Sequence, residues 1–247
     1  MKNLTQKQSN HDMDIVLTKK PKAPIIIEGF PGLGLISTIT TEFLIKHLNA
    51  KPIGSMWSRK LVPIAAVHDA KIIQPLEIFY AEKENIVIVH ALSDVRGIEW
   101  DISKAIQQLY DMLGAKELIT IEGIMSKGET SDIYFYTGDA KKRKKLEDKK
   151  ILPLKEGIIV GVTAGLVLKE KDMNIVGIFI ETHSKLPDSM SAAKVVKVLD
   201  EYLGLNLDPK PLMEAAAQFE AKLKTLLEQT KQTMEHKQTK DEMNYMG

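Results

Sequence analysis

Side chains able to do chemistry are spread thinly along this chain. The serines with an acid or an imidazole close in sequence are Ser37, Ser93, Ser184 and Ser189, and their neighbours are His90, His183, Asp94 and Asp188. A serine nucleophile needs a base in reach and usually a sharp strand-to-helix elbow of the G-x-S-x-G kind, and none of these serines sits in one. Six histidines are present, without H-x-H or H-E-x-x-H spacing, so no metal site is assigned. Cysteine is absent, which excludes disulfides, thiol nucleophiles and cysteine-based metal or iron–sulfur centres. The most site-like cluster is Glu181-Thr182-His183, at the end of an apolar run, because ligands of open α/β sheets lie at the carboxyl ends of strands. A polar loop would use the same residues. Asp94 and Arg96 read as a local ion pair of small worth.

The other place for chemistry is a turn. In Pro24 to Leu44, PIIIEGFPGLGLISTITTEFL, the β-branched run Ile25-Ile26-Ile27 fits a strand covered on both faces. Gly29, Pro31, Gly32 and Gly34 break it, and Leu35, Ile39, Phe43 and Leu44 then follow helical spacing. A strand, a Gly-rich turn and a helix place free backbone N–H groups where a phosphate or carboxylate could sit. The dinucleotide pattern G-x-G-x-x-G is not met, because Gly32 and Gly34 are followed by Ser37, and no Lys follows Gly34 as a Walker loop requires. The four residues are therefore either a structural turn that brings a helix close to the sheet or a candidate anion site.

Further elements must position these groups. Asp14 to Thr18 reads as a first edge strand, Pro52 to Trp57 as a strand, and Pro75 to Tyr80 with Ile86 to Leu92 as an antiparallel hairpin turned at Glu82 to Asn85. Leu61 to Gln74 has no clear pattern. Ile102, Ile106, Leu109 and Leu113 repeat at helical spacing before Gly114. Glu117 to Glu122 and Ile133 to Thr137 read as strands. Gly157 to Leu168 reads as a buried strand running into a small-residue turn and an apolar helix start, echoing the opening unit. Asn174 to Glu181 is the last buried strand, and Pro187-Asp188 starts a helix whose Ala192, Val195, Val196, Leu199 and Leu203 face the core. The expected fold is α/β, a three-layer mixed, mostly parallel sheet with flanking helices, plus a C-terminal helical extension and a flexible tail. Its organisation is a loose arm over 1–13, the α/β domain over 14–204, the extension over 205–230 and the tail over 231–247. In the extension Leu212, Ala216, Phe219, Leu223 and Leu226 form a stripe that must cover the domain or another subunit.

Composition narrows the partners. The 247 residues are 44% hydrophobic and 27% charged with a net charge of +1, as in a soluble globular protein with no global pull toward nucleic acid or an acidic membrane. The run KKRKKLEDKK over Lys141 to Lys150 has Leu146 as its only apolar residue and no aromatic to stack bases, so it reads as a solvated helix or loop face. The first residues lack an apolar signal core and no run is long enough to span a bilayer, so a cytoplasmic protein is expected.

GFPGLGL after a hydrophobic strand, with the Gly157-to-Leu168 and Glu181-to-Asp200 segments, resembles the archaeal homologues of the proteasome assembly chaperone family, from about Asp14 to about Leu227. The resemblance implies a non-enzymatic, cofactor-free homo-oligomer that binds the proteasome core particle or its subunits. It also gives meaning to the last residues, Met243-Asn244-Tyr245-Met246-Gly247, which look like a tethered docking peptide with an aromatic anchor and a terminal carboxylate. Proteasome activators and some assembly chaperones end in a hydrophobic residue, a tyrosine and any residue. Here Tyr245 is third from the end and Asn244 precedes it, a variant of that pattern. The partner-binding residues are then Met243, Tyr245, Met246 and Gly247. The alternative is an enzyme for a nucleoside or another phosphate-containing small molecule, with a site near Gly32, Gly34, Ser93 and His183.

Overall fold

The computed structural model describes residues 13–61, 66–68, 71–92, 94–125, 131–182 and 186–214. In chain order, β1 (Asp14–Leu17) is followed by β2 (Ile25–Gly29), a single 3-10 turn (Leu33–Leu35) and α1 (Ile36–His47). Then come β3 (Lys51–Trp57), the short ribbon β4 (Ala66–His68) and β5 (Lys71–Ile73), β6 (Leu76–Ala81) and β7 (Ile86–Ala91). The second half holds α2 (Glu99–Leu113), β8 (Glu117–Met125), β9 (Ile133–Tyr136), α3 (Ala140–Asp148) and β10 (Leu152–Pro153). It ends with α4 (Gly161–Val167), β11 (Ile175–Thr182) and α5 (Ser189–Leu203).

Nine strands form one sheet in the order β1-β3-β6-β7-β2-β8-β11-β9-β10. The middle is parallel: β2 lies between β7 and β8, and β8 also pairs with β11. These are the runs apolar on both faces, and both faces are covered, as parallel strands require. Ile26, Val87 and Leu118 pack with Ile102, Ile106 and Leu109 of α2 and Leu166 of α4. Ile27, Ile88 and Ile119 pack on the other face with Leu44 of α1 and Val195 and Leu199 of α5. Each fully buried isoleucine contributes ~1.5–3 kcal/mol by leaving water. The result is three layers, with antiparallel additions on both flanks: β6 returns on β7 as a hairpin, β3 and β1 follow, and β9 lies against β11. Pro52 falls at a register irregularity of β3, beyond the stretch that β1 covers, where a missing N–H is tolerated.

One segment departs from the expectation. In Gly157 to Leu168 only the second half is regular: α4 starts at Gly161, and 157–160 form no strand. Ile158 and Val160 are 88% and 66% exposed. Both sides of β11 are already taken, by β8 and β9, so the run finds no sheet neighbour there, and a short apolar run alone does not decide between strand and loop. The lysine-rich run is helical. Asp139 caps it by accepting from the Lys141 and Lys142 amides, and Leu146 is fully buried beneath it. After Gly204, whose φ of 71° ends α5, Leu205, Leu207 and Leu212 pack on the α1–α5 side of this domain. Phe219, Leu223 and Leu226 of the expected stripe lie outside the described residues.

Candidate functional site

The Gly/Pro turn lies at the carboxyl end of β2. Gly29 is required by a close approach: a Cβ there would fall 2.6 Å from the Ser37 carbonyl and the Thr41 side chain, so α1 is seated directly on the strand end. Gly34 has φ 66°, and its carbonyl accepts from the Asp188 amide at 2.8 Å, tying the turn to the start of α5. Ser37 is buried and donates to the Phe30 carbonyl at 2.5 Å. Gly32 faces a carboxyl group. A Cβ on it would lie 2.5 Å from Glu122 Oε1. Gly29 and Gly34 thus serve the close approach of α1 and the turn itself.

Glu122 belongs to a cluster that the sequence reading passed over. Glu28 on β2 is opposite Thr120 on β8, and Glu122 is two residues further along, on the same face as Thr120. Thr163 from α4 completes the group. The Thr120 hydroxyl donates to Glu28 Oε1 and lies 2.8 Å from Thr163 Oγ1. Thr163 in turn reaches Glu122 Oε2 at 3.1 Å and Glu28 Oε1 at 3.5 Å. Glu28 is 1% exposed, and its Oε2 has no hydrogen-bond partner among the described residues. Burial pushes the Glu28 carboxyl up to about 8; the Thr120 hydroxyl opposes this, the neighbouring Glu122 adds to it, and Thr163 opposes it. Burial likewise pushes Glu122 up to about 7 against the Thr163 hydrogen bond. The signal for both was present in the sequence: each buried run, IIIEG and ITIEG, ends in Glu-Gly.

Above the cluster is a cavity of about 520 Å³, walled by the turn, by the end of β8, by the loop from β7 to α2 and by 158–162. Glu122 lines it. At its rim the Arg96 Nε donates to Asp94 Oδ2 at 2.5 Å, an exposed pair that holds the Asp94 carboxyl below its ordinary value. Glu99 Oε2 accepts from the Gly97 amide at 2.9 Å. A second hollow of about 710 Å³ adjoins it, with Met125, Leu152 and Ile158 in its wall.

Of the serine and histidine candidates within the described residues, Ser37 bonds the Phe30 carbonyl and His90 the Thr41 hydroxyl. His90 is on the opposite face of the sheet, its Nδ1 2.9 Å from Thr41 Oγ1 and its pKa pushed down to about 4 by burial. It is a core histidine. Thr182 donates to Asp188 Oδ2 at 2.6 Å, and Asp188 Oδ1 accepts from the Ser191 amide, so this acid caps α5. Glu181 takes the Asp132 amide at 3.4 Å. Ser93, His183, Ser184, Met243, Tyr245, Met246 and Gly247 lie outside the described residues. No group of three or more metal-ligating side chains occurs among the described residues, and no helix among them is long and apolar enough to cross a membrane.

Known proteins share this architecture. An uncharacterised protein of Methanocaldococcus jannaschii is 29% identical over 213 residues, 83% of this chain and 86% of that protein. The crystal structure of Pyrococcus furiosus PbaA, an archaeal homolog of proteasome-assembly chaperone, superposes with a TM-score of 0.79 at 28% identity, covering 94% of this chain and 99% of that one. Pyrococcus furiosus PbaB, an archaeal proteasome activator, superposes at 0.73 over 87% of this chain and 98% of its own, and at 22% identity it speaks for the fold alone. The PAC2 family model matches residues 26–227, from the central strand β2 to beyond the last described residue, and the chain therefore belongs to the PAC2 family.

Proposed function

We propose that this chain is a non-enzymatic binding protein that engages the proteasome core particle or its unassembled subunits, working as a cytoplasmic homo-oligomer. The observation that carries the reading is membership of the PAC2 family together with full-length likeness to PbaA, a homolog of proteasome-assembly chaperone. The carboxyl edge of the sheet supports a protein partner. Met125, Leu152, Ile158 and Val160 are each more than half exposed there, and such a concentration of large apolar side chains is the mark of an interaction surface.

The C-terminal residues supply a second contact in this reading. Tyr245 is the anchor with Met246 beside it, Met243 is a second anchor, and the carboxylate of Gly247 is captured with them. Several tails on one oligomer turn a weak single contact into useful avidity. The test is co-elution with an intact archaeal core particle, together with peptide hydrolysis, for the full chain and for a chain lacking Asp241 to Gly247. Binding that needs the last seven residues, with an unchanged melting temperature, supports the tail contact. Equal binding by both forms removes it. Failure of either form to bind core particle and free subunits alike removes the proteasome reading.

A further inference from the structure

Seven basic and two acidic side chains lie between Lys141 and Lys150, a net +5 in a chain whose whole net charge is +1. Part of that charge is used within the fold. Lys142 reaches Glu117 at 3.1 Å, Arg143 donates to the Thr137 carbonyl at 3.3 Å, and Lys145 lies 4.4 Å from the centre of the Tyr202 ring. Lys149 and Lys150, at the end of α3, are placed differently. They meet Lys194 and Lys197, a helical turn apart on the outer face of α5, around a hollow of about 440 Å³. Among the described residues none of these four lysines takes part in an ion pair, and Lys194 donates to the Ser131 carbonyl at 3.2 Å. Two acids, Asp132 and Glu201, share the wall, and Ile133, Ile151, Leu152 and Val198 make the rest of it largely apolar. Lys150 stands at φ 62°, where glycine or asparagine is the usual residue, so its charge is carried at a conformational cost.

Leu152, 56% exposed, belongs to this hollow and also to the hollow of about 710 Å³ whose wall holds Met125, Pro153, Leu154 and Ile158. The two are therefore neighbours at the β10 border, one mainly apolar and one rimmed by lysine. We propose that they form a single groove for an amphipathic acidic peptide of a partner protein, its apolar side chains in the larger hollow and its Asp or Glu side chains among Lys149, Lys150, Lys194 and Lys197. The inference builds on the protein-binding reading above and gives that partner its chemistry. Charge complementarity selects carboxylates, and lysine suits such a site because its stem covers apolar surface while its head stays in water. Other anions fit less well. Compact phosphate sites rely on an arginine fork or a nest of backbone amides, and among the described residues that line the lysine hollow there is no arginine. A nucleic acid wants one sign of charge and aromatic rings for its bases; here Asp132 and Glu201 interrupt the lysines, and no aromatic is among the described residues of that wall.

The two halves of the groove do different work. The lysines are exposed and screened by salt, so they set the choice of partner and the speed of encounter more than the strength of the contact. Closing Met125, Leu152 and Ile158 from water supplies the holding power. A peptide must therefore carry both features to bind well.

The test is fluorescence anisotropy on the full chain with the labelled peptides IFLGEEEE and EEEEGLFI, which present both chain directions. GSGGEEEE, IFLGKKKK and oligothymidine are the controls, and the peptide DEMNYMG stands for the chain's own residues Asp241 to Gly247. Saturable binding of an amphipathic acidic peptide is expected, weakened by salt, with each control about tenfold weaker or more. Lys194→Glu together with Lys197→Glu should weaken it by about tenfold, and glutamate keeps an exposed helix face helical. Leu152→Ala should weaken it as well. Lys150→Gly should weaken binding severalfold while raising the melting temperature, because glycine adopts φ 62° without strain; a loss of binding in a more stable chain is not misfolding. No saturable binding of either amphipathic peptide, equal binding of any control, or binding unchanged by the double lysine substitution would each overturn the assignment. Tighter binding of DEMNYMG would overturn it too, by making a second copy of this chain the occupant. The assay contains no proteasome, so its failure leaves the core-particle reading standing, and failure of that reading leaves the groove to be judged by the peptides alone.

Discussion

Replacing Glu28 by glutamine should flatten the pH dependence of stability. In the unfolded chain this carboxyl ionises near 4.5; in the fold it holds its proton up to about 8. Below pH 4.5 both states are protonated and the fold carries no penalty from this group. Between 4.5 and 8 the unfolded chain gives up the proton while the folded chain keeps it, so folding must take one up. Stability then falls by ~1.4 kcal/mol per pH unit, and the loss is complete once pH has passed about 8. Between pH 5 and pH 8 this is a loss of about 3 to 4 kcal/mol, a large fraction of the ~5–15 kcal/mol that holds a domain folded. Glu122, pushed up to about 7, steepens the lower part of the same interval. Glutamine is nearly the same shape and still accepts the Thr120 hydroxyl, but it has no proton to lose. Denaturant unfolding of both chains at pH 5, 6, 7 and 8, at one fixed protein concentration, reads the difference. The gap should move in favour of the variant by about 3 to 4 kcal/mol from pH 5 to pH 8. Curves that run parallel within ~1 kcal/mol would show that Glu28 ionises in the fold as an ordinary carboxylate, and the reasoning from burial would fail.

Two further outcomes follow from other sites. Leu146 is the one fully buried side chain of α3, so Leu146→Ala should cost ~2–5 kcal/mol and loosen that helix, read by thermal unfolding and by amide exchange over 140–148. The His90 ring, its pKa lowered to about 4 by burial, is neutral in the fold, so its stabilising share is complete above 6.5 and is lost as pH falls toward 4. A proton NMR titration should therefore find its ring signals unmoved from pH 8 to pH 5.5; a midpoint near 6.5 would contradict the burial argument.

The central strands were legible because their residues are apolar on both faces: Ile25 to Ile27 and Ile86 to Val89 leave no polar side to place outward. Helix α2 was legible from Ile102, Ile106, Leu109 and Leu113, and its end from Gly114, which takes φ 56°. The hairpin of β6 and β7 followed from the turn residues at Glu82 to Asn85. The segment at 157–160 was not legible, because an exposed loop and a buried strand share the composition Gly-Ile-Ile-Val, and the neighbours decide between them. The acidic cluster escaped for a related reason. A single glutamate after an isoleucine run looks like the place where a strand reaches solvent. Only the register of β2 with β8 reveals that Glu28 and Glu122 turn inward on the same face, toward a threonine about 40 residues further along the chain from Glu122. Neighbours in a strand point to opposite faces, which sends His90 into the α1 layer, away from the cavity.

The two ends of the sheet have a consequence for how copies of the chain can meet. One border is β1, four residues long; the other is β10, two residues long, and its second residue is Pro153, which has no N–H to donate. Neither offers the long flat row of unsatisfied amides and carbonyls on which a foreign strand could polymerise. Runaway edge-to-edge growth into fibres is thus blocked at both borders, although the interior strands are rich in the β-branched residues that favour it. A contact between copies by extension of this sheet would therefore have to start from a four-residue or a two-residue border.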